Sequence, residues 1–323
     1  MKQISVIGSI SMDLVVESKR RPGAGETVIG DAFHTVPGGK GANQAVAVAR
    51  LGSTVEMIGC VGSDANGEAI RENFKTQGVQ TLGSTVEMIG CVGSDANGEA
   101  IRENFKTQGV QTTHLQTIES ERTGTAHITL AEGDNSIVVV QSANQHVQFA
   151  DDALAPILAD SEIILLQLEI PIETVETVAR EAHAAGIPVV LNPAPAMSLS
   201  PELIEHVTYL TPNEHECGLI FGQDQPIEHW LMEYPNKLIV TEGSRGARFY
   251  DGESIVTIPA IETTVVDTTG AGDTFNGALA VALTEGQPLV EAIRFANRAA
   301  GLSIRALGAQ GGMPTREQME GDA

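Results

Sequence analysis

Beyond residue 160 the chain alternates short apolar runs with amphipathic helical stretches, and that alternation restricts the fold more than any other feature of the sequence. Residues 163–168, 188–191, 207–211 and 237–241 read as buried strands. Strands separated by helices need crossover connections, which make them parallel and put helices on both faces of the sheet. The expected class is therefore α/β, a doubly wound, mainly parallel sheet. Each strand ends in polar or flexible residues: Glu169 after the first, Asn192 after the second, Asn213 and Glu216 after the third, Gly243 after the fourth. In open α/β sheets the ligand crevice lies outside the carboxyl ends of the strands, so one sheet edge collects all of these groups.

The N-terminal part supplies more of that edge. Residues 4–7 form a strand leading into GSISMD, which puts Ser11 and Asp13 beyond its carboxyl end. Residues 20–36 carry Pro22, Gly23, Gly25 and Gly30 among short alternating segments, a pattern of β-ribbon and turns that suits a small lid. Then GGKGANQAVAVARLG, residues 38–52, runs from a glycine-rich turn into an alanine-rich helix. Gly39 and Gly41 let a ligand approach the backbone, and Lys40 and Asn43 add donors at the helix start. The stretch is neither a phosphate loop ending in GK[ST] nor a GxGxxG dinucleotide turn. Residues 123–130 and 136–140 read as a hairpin. The expected organisation is one domain over residues 1–323, with lid segments near 11–37 and 113–142.

Residues 51–81 recur letter for letter as residues 82–112. Solenoids show three or more diverged units with atypical ends, so two identical copies mark a recent duplication rather than an architecture. Each copy reads as a strand, a turn and a helix that Ser63 or Ser94 can cap. One copy is expected to take a place in the sheet, and the other to be looped out or added to an edge. Loop-closure entropy grows only by about 0.6 kcal/mol per doubling of length, so such an insertion is tolerable at a surface.

The chemistry is concentrated in DTTGAGDTFNGA, residues 267–278. Phe275, Leu279, Ala282 and Leu283 recur at helical spacing, so a helix begins near Gly272 with the glycines at its N-terminus. Free N–H groups and the positive end of the helix dipole make that turn a phosphate site. Asp273 is out of place beside phosphate unless it takes a proton from a hydroxyl that attacks the phosphorus. The turn thus points to phosphoryl transfer. A long helical pattern, residues 289–307, closes the fold.

Other classes are disfavoured. With 42 acidic against 19 basic residues the formal charge is −23, which opposes non-specific binding of nucleic acid or anionic membranes. No apolar run reaches the length of a membrane span, and the start of the chain has no signal-peptide layout, so a cytoplasmic location is expected. Cys60, Cys91 and Cys217 have no metal-ligand spacing, and the eight histidines form no ligand motif.

The series GSISMD, GGKGANQA, QLE, NPAPA, TPNEHE, TEGSRG and DTTGAGDTFNGA resembles the ribokinase-type (PfkB) carbohydrate kinases over nearly the whole chain, leaving only the second repeat copy without a counterpart. The resemblance implies transfer of the ATP γ-phosphoryl group to the 5-hydroxyl of D-ribose, giving D-ribose 5-phosphate, with Mg2+ and activation by K+. Asp273 would be the general base, and the turn Gly270 to Asp273, through the N–H groups of Ala271, Gly272 and Asp273, an anion hole. Ser11, Asp13, Gly39, Lys40, Gly41, Asn43, Glu169 and Asp273 itself match sugar-binding positions. Asn213, Thr241, Gly243, Ser244, Gly246, Gly272 and Asn297 match ATP-binding ones. Glu216 would meet magnesium through water, and Asp267, Thr269, Ser303, Ala306, Gly308 and Gly312 would surround potassium. The family also implies a β-sheet lid that commonly forms a homodimer interface. Between Asn213 and Thr241 the chain is shorter than the family pattern. Open alternatives are 2-deoxyribose or another furanose as substrate, and a sugar-binding protein whose catalysis the duplication impairs.

Overall fold

The structure is a computed structural model that describes residues 3–60, 65–77, 86–87, 90–91, 110–111, 115–116, 122–131, 134–149 and 153–321. Its centre is a five-stranded parallel sheet in the order Tyr209–Leu210, Val189–Asn192, Ser161–Gln167, Gln3–Ile7, Val55–Ile58. Parallel bridges Leu210 to Leu238 and Asn213 to Thr241 carry it on into an antiparallel sheet of Ile239–Thr241, Ala247–Tyr250 and Ile255–Ile258. The expected α/β class is what the chain adopts.

Strand alternation builds two cores. On one face Ile4, Val6, Ile163 and Leu165 pack with Ala45, Val48, Phe275, Leu279 and Ala296 of the helices Lys40–Arg50, Ala271–Thr284 and Leu289–Ser303. On the other, Ile7, Ile164 and Leu166 meet Val175, Val178 and Leu203 of the helices Ile172–Ala185 and Pro201–His206. Each such Ile, Leu, Val or Phe side chain contributes roughly 1.5–3 kcal/mol on burial. Burial on both faces explains why these strands read as unbroken apolar runs. From Gln3–Ile7 the chain passes first to Val55–Ile58 on one side and later to Ser161–Gln167 on the other. The strand order thus reverses beside the first strand, and a ligand crevice opens there.

A second sheet, in the order Asp134–Val140, Gly124–Ala131, Ser11–Glu17, Ala32–Gly38, stands over that crevice. It is the expected lid, including the hairpin. Asp13 lies within strand Ser11–Glu17, inside the expected lid segment, because the chain enters the lid directly after Ile10. Asn144 fixes this corner: its Oδ1 accepts from Ile10 N at 3.1 Å and its Nδ2 donates to Ile10 O at 2.8 Å. The closing helix also differs, ending at Ser303 instead of 307, and residues 304–312 form turns beside Asp267. The short stretch between Asn213 and Thr241 still holds two helices, Glu214–Phe221 and Ile227–Glu233, with Phe221 stacked on Trp230 at 5.2 Å.

The first repeat copy takes the sheet position through Val55–Ile58 and packs its helix Ala65–Thr76 against the lid strands. In the second copy Val86–Glu87 and Gly90–Cys91 pair instead with Val110–Gln111 and Leu115–Gln116, in two small sheets of their own. The expected caps Ser63 and Ser94 lie outside the described residues. Since the five-stranded sheet is complete without it, deleting residues 82–112 is expected to leave kcat within about twofold and the melting temperature within about 4 °C. Thermal unfolding and turnover of the deleted chain check this; a collapse of either would make the second copy integral.

Candidate active site

Helix Ala271–Thr284 starts at Gly270, whose backbone is left-handed (φ 78°), and a Cβ there would come within 2.7 Å of the Ala309 carbonyl. Only glycine makes this turn. The Ala271 N–H donates to Thr268 O at 3.2 Å, while those of Gly272 and Asp273 meet no backbone acceptor among the described residues. Of the three N–H groups of this turn, those of Gly272 and Asp273 are thus without a backbone partner among the described residues and that of Ala271 is engaged.

Asp273 is buried in the first turn, its Oδ2 accepting from Asn43 Nδ2 at 2.9 Å and its Oδ1 from Gln44 Nε2 at 3.5 Å. Burial pushes its carboxyl up to about 6, against the opposing pull of Lys40 and the Asn43 bond. A cavity of about 150 Å3 joins Asp273 to Ser11, Asp13, Gly39, Lys40, Asn43 and Glu169, roofed by Ala126, Ile128 and Val139 of the lid. Every predicted sugar residue except Gly41 lines it; Gly41 stands behind the wall, its N–H 3.4 Å from Ser9 Oγ.

Asp13 accepts from Ser11 Oγ at 3.0 Å. Burial raises its carboxyl to about 7, and the neighbouring charges of Glu169 and Asp273 add to the rise. A Cβ on Gly38 would lie 2.2 Å from both Asp13 oxygens, so that glycine is required by the carboxylate beside it. Glu169 accepts from Ser9 Oγ and, at 3.1 Å, from the Lys40 N–H. Burial alone would lower the Lys40 ammonium, but Asp273, Glu169, Glu216 and Asp13 together outweigh it and raise it. The site is a ring of carboxylates around one cation.

Farther along the same edge, Asn213 and Glu216 form a capping box on helix Glu214–Phe221, with both bonds at 2.8 Å. The bridge from Asn213 to Thr241 ties that cap to the turn holding Gly243, Ser244 and Gly246. Burial raises the Glu216 carboxyl, with Asn213, Lys40 and His215 opposing. Asn297 donates to Ile258 O at 2.8 Å and Pro259 O at 3.3 Å, so its amide braces the chain leaving the last strand. Asp267 accepts from Thr269 N at 2.9 Å, Thr269 Oγ1 at 2.7 Å and Gly308 N at 2.8 Å, clamping the turn before Gly270 to the turns after Ser303. Gly312 packs on the Ser303 carbonyl and Ala306 lies on the same loop. A larger cavity, about 770 Å3, opens between Arg50 and Gln318 and carries none of the converging carboxylates.

The model of the pfkB family carbohydrate kinases matches residues 1–83 and 78–316. The chain belongs to that family. The ribokinase of Bacillus subtilis is 50% identical over 322 residues, 99% of each chain, and that of Lactococcus lactis 45% identical over 99% of this chain and 96% of the relative. Among solved structures, Arabidopsis thaliana ribokinase complexed with ribose and ATP superposes with a TM-score of 0.79 at 32% identity, over 99% of this chain and 98% of that one. The two stretches matched by the family model overlap where the first repeat copy gives way to the second.

Sequence reasoning missed part of this carbohydrate kinase's site. Ser9 and Gln44 sit inside the quoted motifs, so their position was the available signal. Gln167, which also lies in a quoted motif, and Gln310 join the expected Asn192 in a buried amide network: Gln167 donates to Gln44 Oε1 at 2.7 Å, Gln44 to Asn192 Oδ1 at 3.3 Å, and Gln310 to Asn43 Oδ1 at 2.9 Å. Nothing in the local sequence marks Gln310, which reaches the site only because the chain turns back after Ser303.

Proposed function

We propose that this chain is an ATP-dependent kinase that phosphorylates D-ribose at its 5-hydroxyl. The observation that carries the reading is the convergence in one small cavity of a base at a helix N-terminus, Asp273, with the sugar-sized ring of Asp13, Asn43 and Glu169. The 45–50% identity to two ribokinases over nearly the full chain supports ribose as the sugar.

In this reading Asp13, Asn43, Glu169 and the backbone at Gly39 and Lys40 hold the ring hydroxyls, leaving the acceptor hydroxyl against Asp273. The Asp273 carboxylate takes the hydroxyl proton as the oxygen attacks the γ-phosphorus, and the bond to the β-phosphate oxygen breaks. A carboxyl near 6 is ionised at neutral pH yet basic enough to receive that proton. The N–H groups of Gly272 and Asp273 face the transferring phosphoryl group, and the Lys40 ammonium offsets the negative charge that gathers there. The lid excludes water, which would otherwise compete as acceptor.

ATP would lie along Asn213, Thr241, Gly243, Ser244, Gly246 and Gly272, with Asn297 bracing the strand beneath. Among the described residues no group of three or more His, Cys, Asp or Glu side chains could hold a metal. Mg2+ is commonly held by one or two carboxylates plus substrate phosphates, and Glu216 would be the carboxylate that meets it through water. K+ would be held by Asp267, Thr269, Ser303, Ala306, Gly308 and Gly312; the missing side chain at Gly312 leaves the Ser303 carbonyl open beside the Asp267 clamp. When bound, each ion would supply charge neutralisation, Mg2+ to the phosphates and K+ to the turn before Gly270. Among the described residues no helix is long and apolar enough to cross a membrane. The buried free thiol of Cys217 supports a cytoplasmic setting.

The lid supports a homodimer. Val16 and Phe33 face each other across the sheet, Val138 shares their face, and Phe33 and Val138 are 63% and 65% exposed. Phe33→Glu is expected to give a monomer by sedimentation, with a raised ribose KM; an unchanged oligomer would remove the lid from the interface. Substrate choice is tested by ADP release with ribose, 2-deoxyribose and fructose, with and without K+. Ribose-dependent, K+-stimulated turnover is expected, and a preference for 2-deoxyribose or fructose would overturn the assignment.

A further inference from the structure

Asp273 is acceptor-only when ionised, and that fixes the orientation of a chain of amides reaching well beyond the cavity. Asn43 must offer its NH2 to Asp273 Oδ2, at 2.9 Å, which turns its carbonyl oxygen toward Gln310. Gln310 must then donate, Nε2 to Asn43 Oδ1 at 2.9 Å, and its own oxygen accepts from Asn73 Nδ2 at 2.7 Å. Gln310 is 7% exposed and Asn43 5%, so water does not readily replace either bond. The far end is anchored by Arg50, which donates to the carbonyls of Gln310 and Met313 at 2.7 and 2.8 Å. Asn73 belongs to the helix Ala65–Thr76 of the first repeat copy.

We propose that Gln310 and Asn73 are positioning residues for phosphoryl transfer, forming a one-directional amide relay that locks Asn43 with its NH2 toward the base. The relay rests on the reading of Asp273 as the base. It gives the docked repeat copy a part in catalysis, although none of the described residues of its helix lines the cavity. Because each amide has one donor end and one acceptor end, a change at Asn73 reaches Asp273 only by turning over Gln310 and Asn43 in sequence. Asn73→Asp replaces the donor with an acceptor of the same shape. Gln310 would then turn its NH2 toward position 73, and Asn43 would lose its donor or present its oxygen to the carboxylate. The charged groups facing Asp273 itself are Lys40 at the start of helix Lys40–Arg50, Glu169 at the sheet edge and Asp13 on the lid strand.

The test is the pH profile of kcat/KM for ribose in the full chain and in Gln310→Met, Asn73→Asp and the double variant, with ribose protection against thermal unfolding as a control for folding. Each single change is expected to move the acid limb upward by about 0.5–1 unit, because an anionic base loses its hydrogen bond. The double variant is expected to match Gln310→Met, since a broken relay transmits nothing further. Asn104→Asp, the same change in the second copy, is expected to leave the limb in place. Unmoved limbs in both single variants, or additive shifts in the double, would overturn the relay, the latter by reducing the effect of Asn73→Asp to plain charge repulsion. A shift at Asn104 rather than Asn73 would overturn the place given to Asn73. A wild-type profile without an acid limb near 6 would overturn Asp273 as the base, and the relay with it.

Discussion

Asp273→Ala is expected to lower kcat about 10²–10⁴-fold while ribose still binds with affinity within about tenfold of the wild type. Removing the carboxylate leaves the 5-hydroxyl with no group to take its proton. The ring contacts from Asp13, Asn43 and Glu169 remain, and so does the turn at Gly270, which depends on backbone conformation rather than on the Asp273 side chain. Stability should not suffer. A buried carboxyl raised to about 6 folds more favourably protonated than ionised, so above that pH the charged form weighs against the native state. Stopped turnover with retained ribose protection in thermal unfolding is the expected pair of results. Residual activity within a few-fold of wild type would remove Asp273 from the proton transfer.

Asp13→Asn is expected to act on two quantities in opposite directions. Its carboxyl is buried in the lid strand and raised from 3.8 to about 7. A group whose folded value lies above its unfolded value contributes stability that is fully present below the unfolded value and disappears as pH rises through the folded one. The apo protein should therefore lose stability between about pH 4 and pH 7 on account of Asp13. About three units at 1.36 kcal/mol each bound that loss at about 4 kcal/mol, and half of it is a realistic share. Asparagine cannot ionise, so the variant should be more stable than wild type at pH 8 by on the order of 2 kcal/mol, with the difference vanishing near pH 4. Ribose KM should rise about 10- to 100-fold, because the sugar loses a charge-assisted hydrogen bond. Urea unfolding at the two pH values and steady-state kinetics measure both effects. A variant less stable at pH 8, or one with unchanged KM, would contradict the role given to Asp13.

Much of this was legible in the chain because the decisive signals were local. The strand–helix alternation after residue 160 fixed the parallel sheet, since buried parallel strands read as apolar runs and each Cβ direction follows from the strand period. The turn at Gly270 was readable because a glycine-rich segment at a helix start has few other uses. What escaped is non-local. Gln44 and Gln310 are polar residues in segments that read as packed or irregular, and their partners lie far away along the chain. The end of the last long helix at Ser303 was missed because Ile304 and Leu307 continue the apolar spacing, while the turns after Ser303 are set by the Asp267 bond to Gly308. The repeat is the opposite case. Identity of the two copies shows that either could fill the sheet, and only the pairing of Val55–Ile58 with Gln3–Ile7 assigns the first.

The most direct measurement is the position of the new phosphoester when the full chain is incubated with D-ribose and MgATP, read from carbon–phosphorus coupling in the NMR spectrum of the product. Coupling at C5, stoichiometric with ADP and absent with Asp273→Ala, is the predicted result. Phosphate on C1, or no sugar phosphate at all, would contradict the assignment of Asp273 and its cavity to the 5-hydroxyl of ribose.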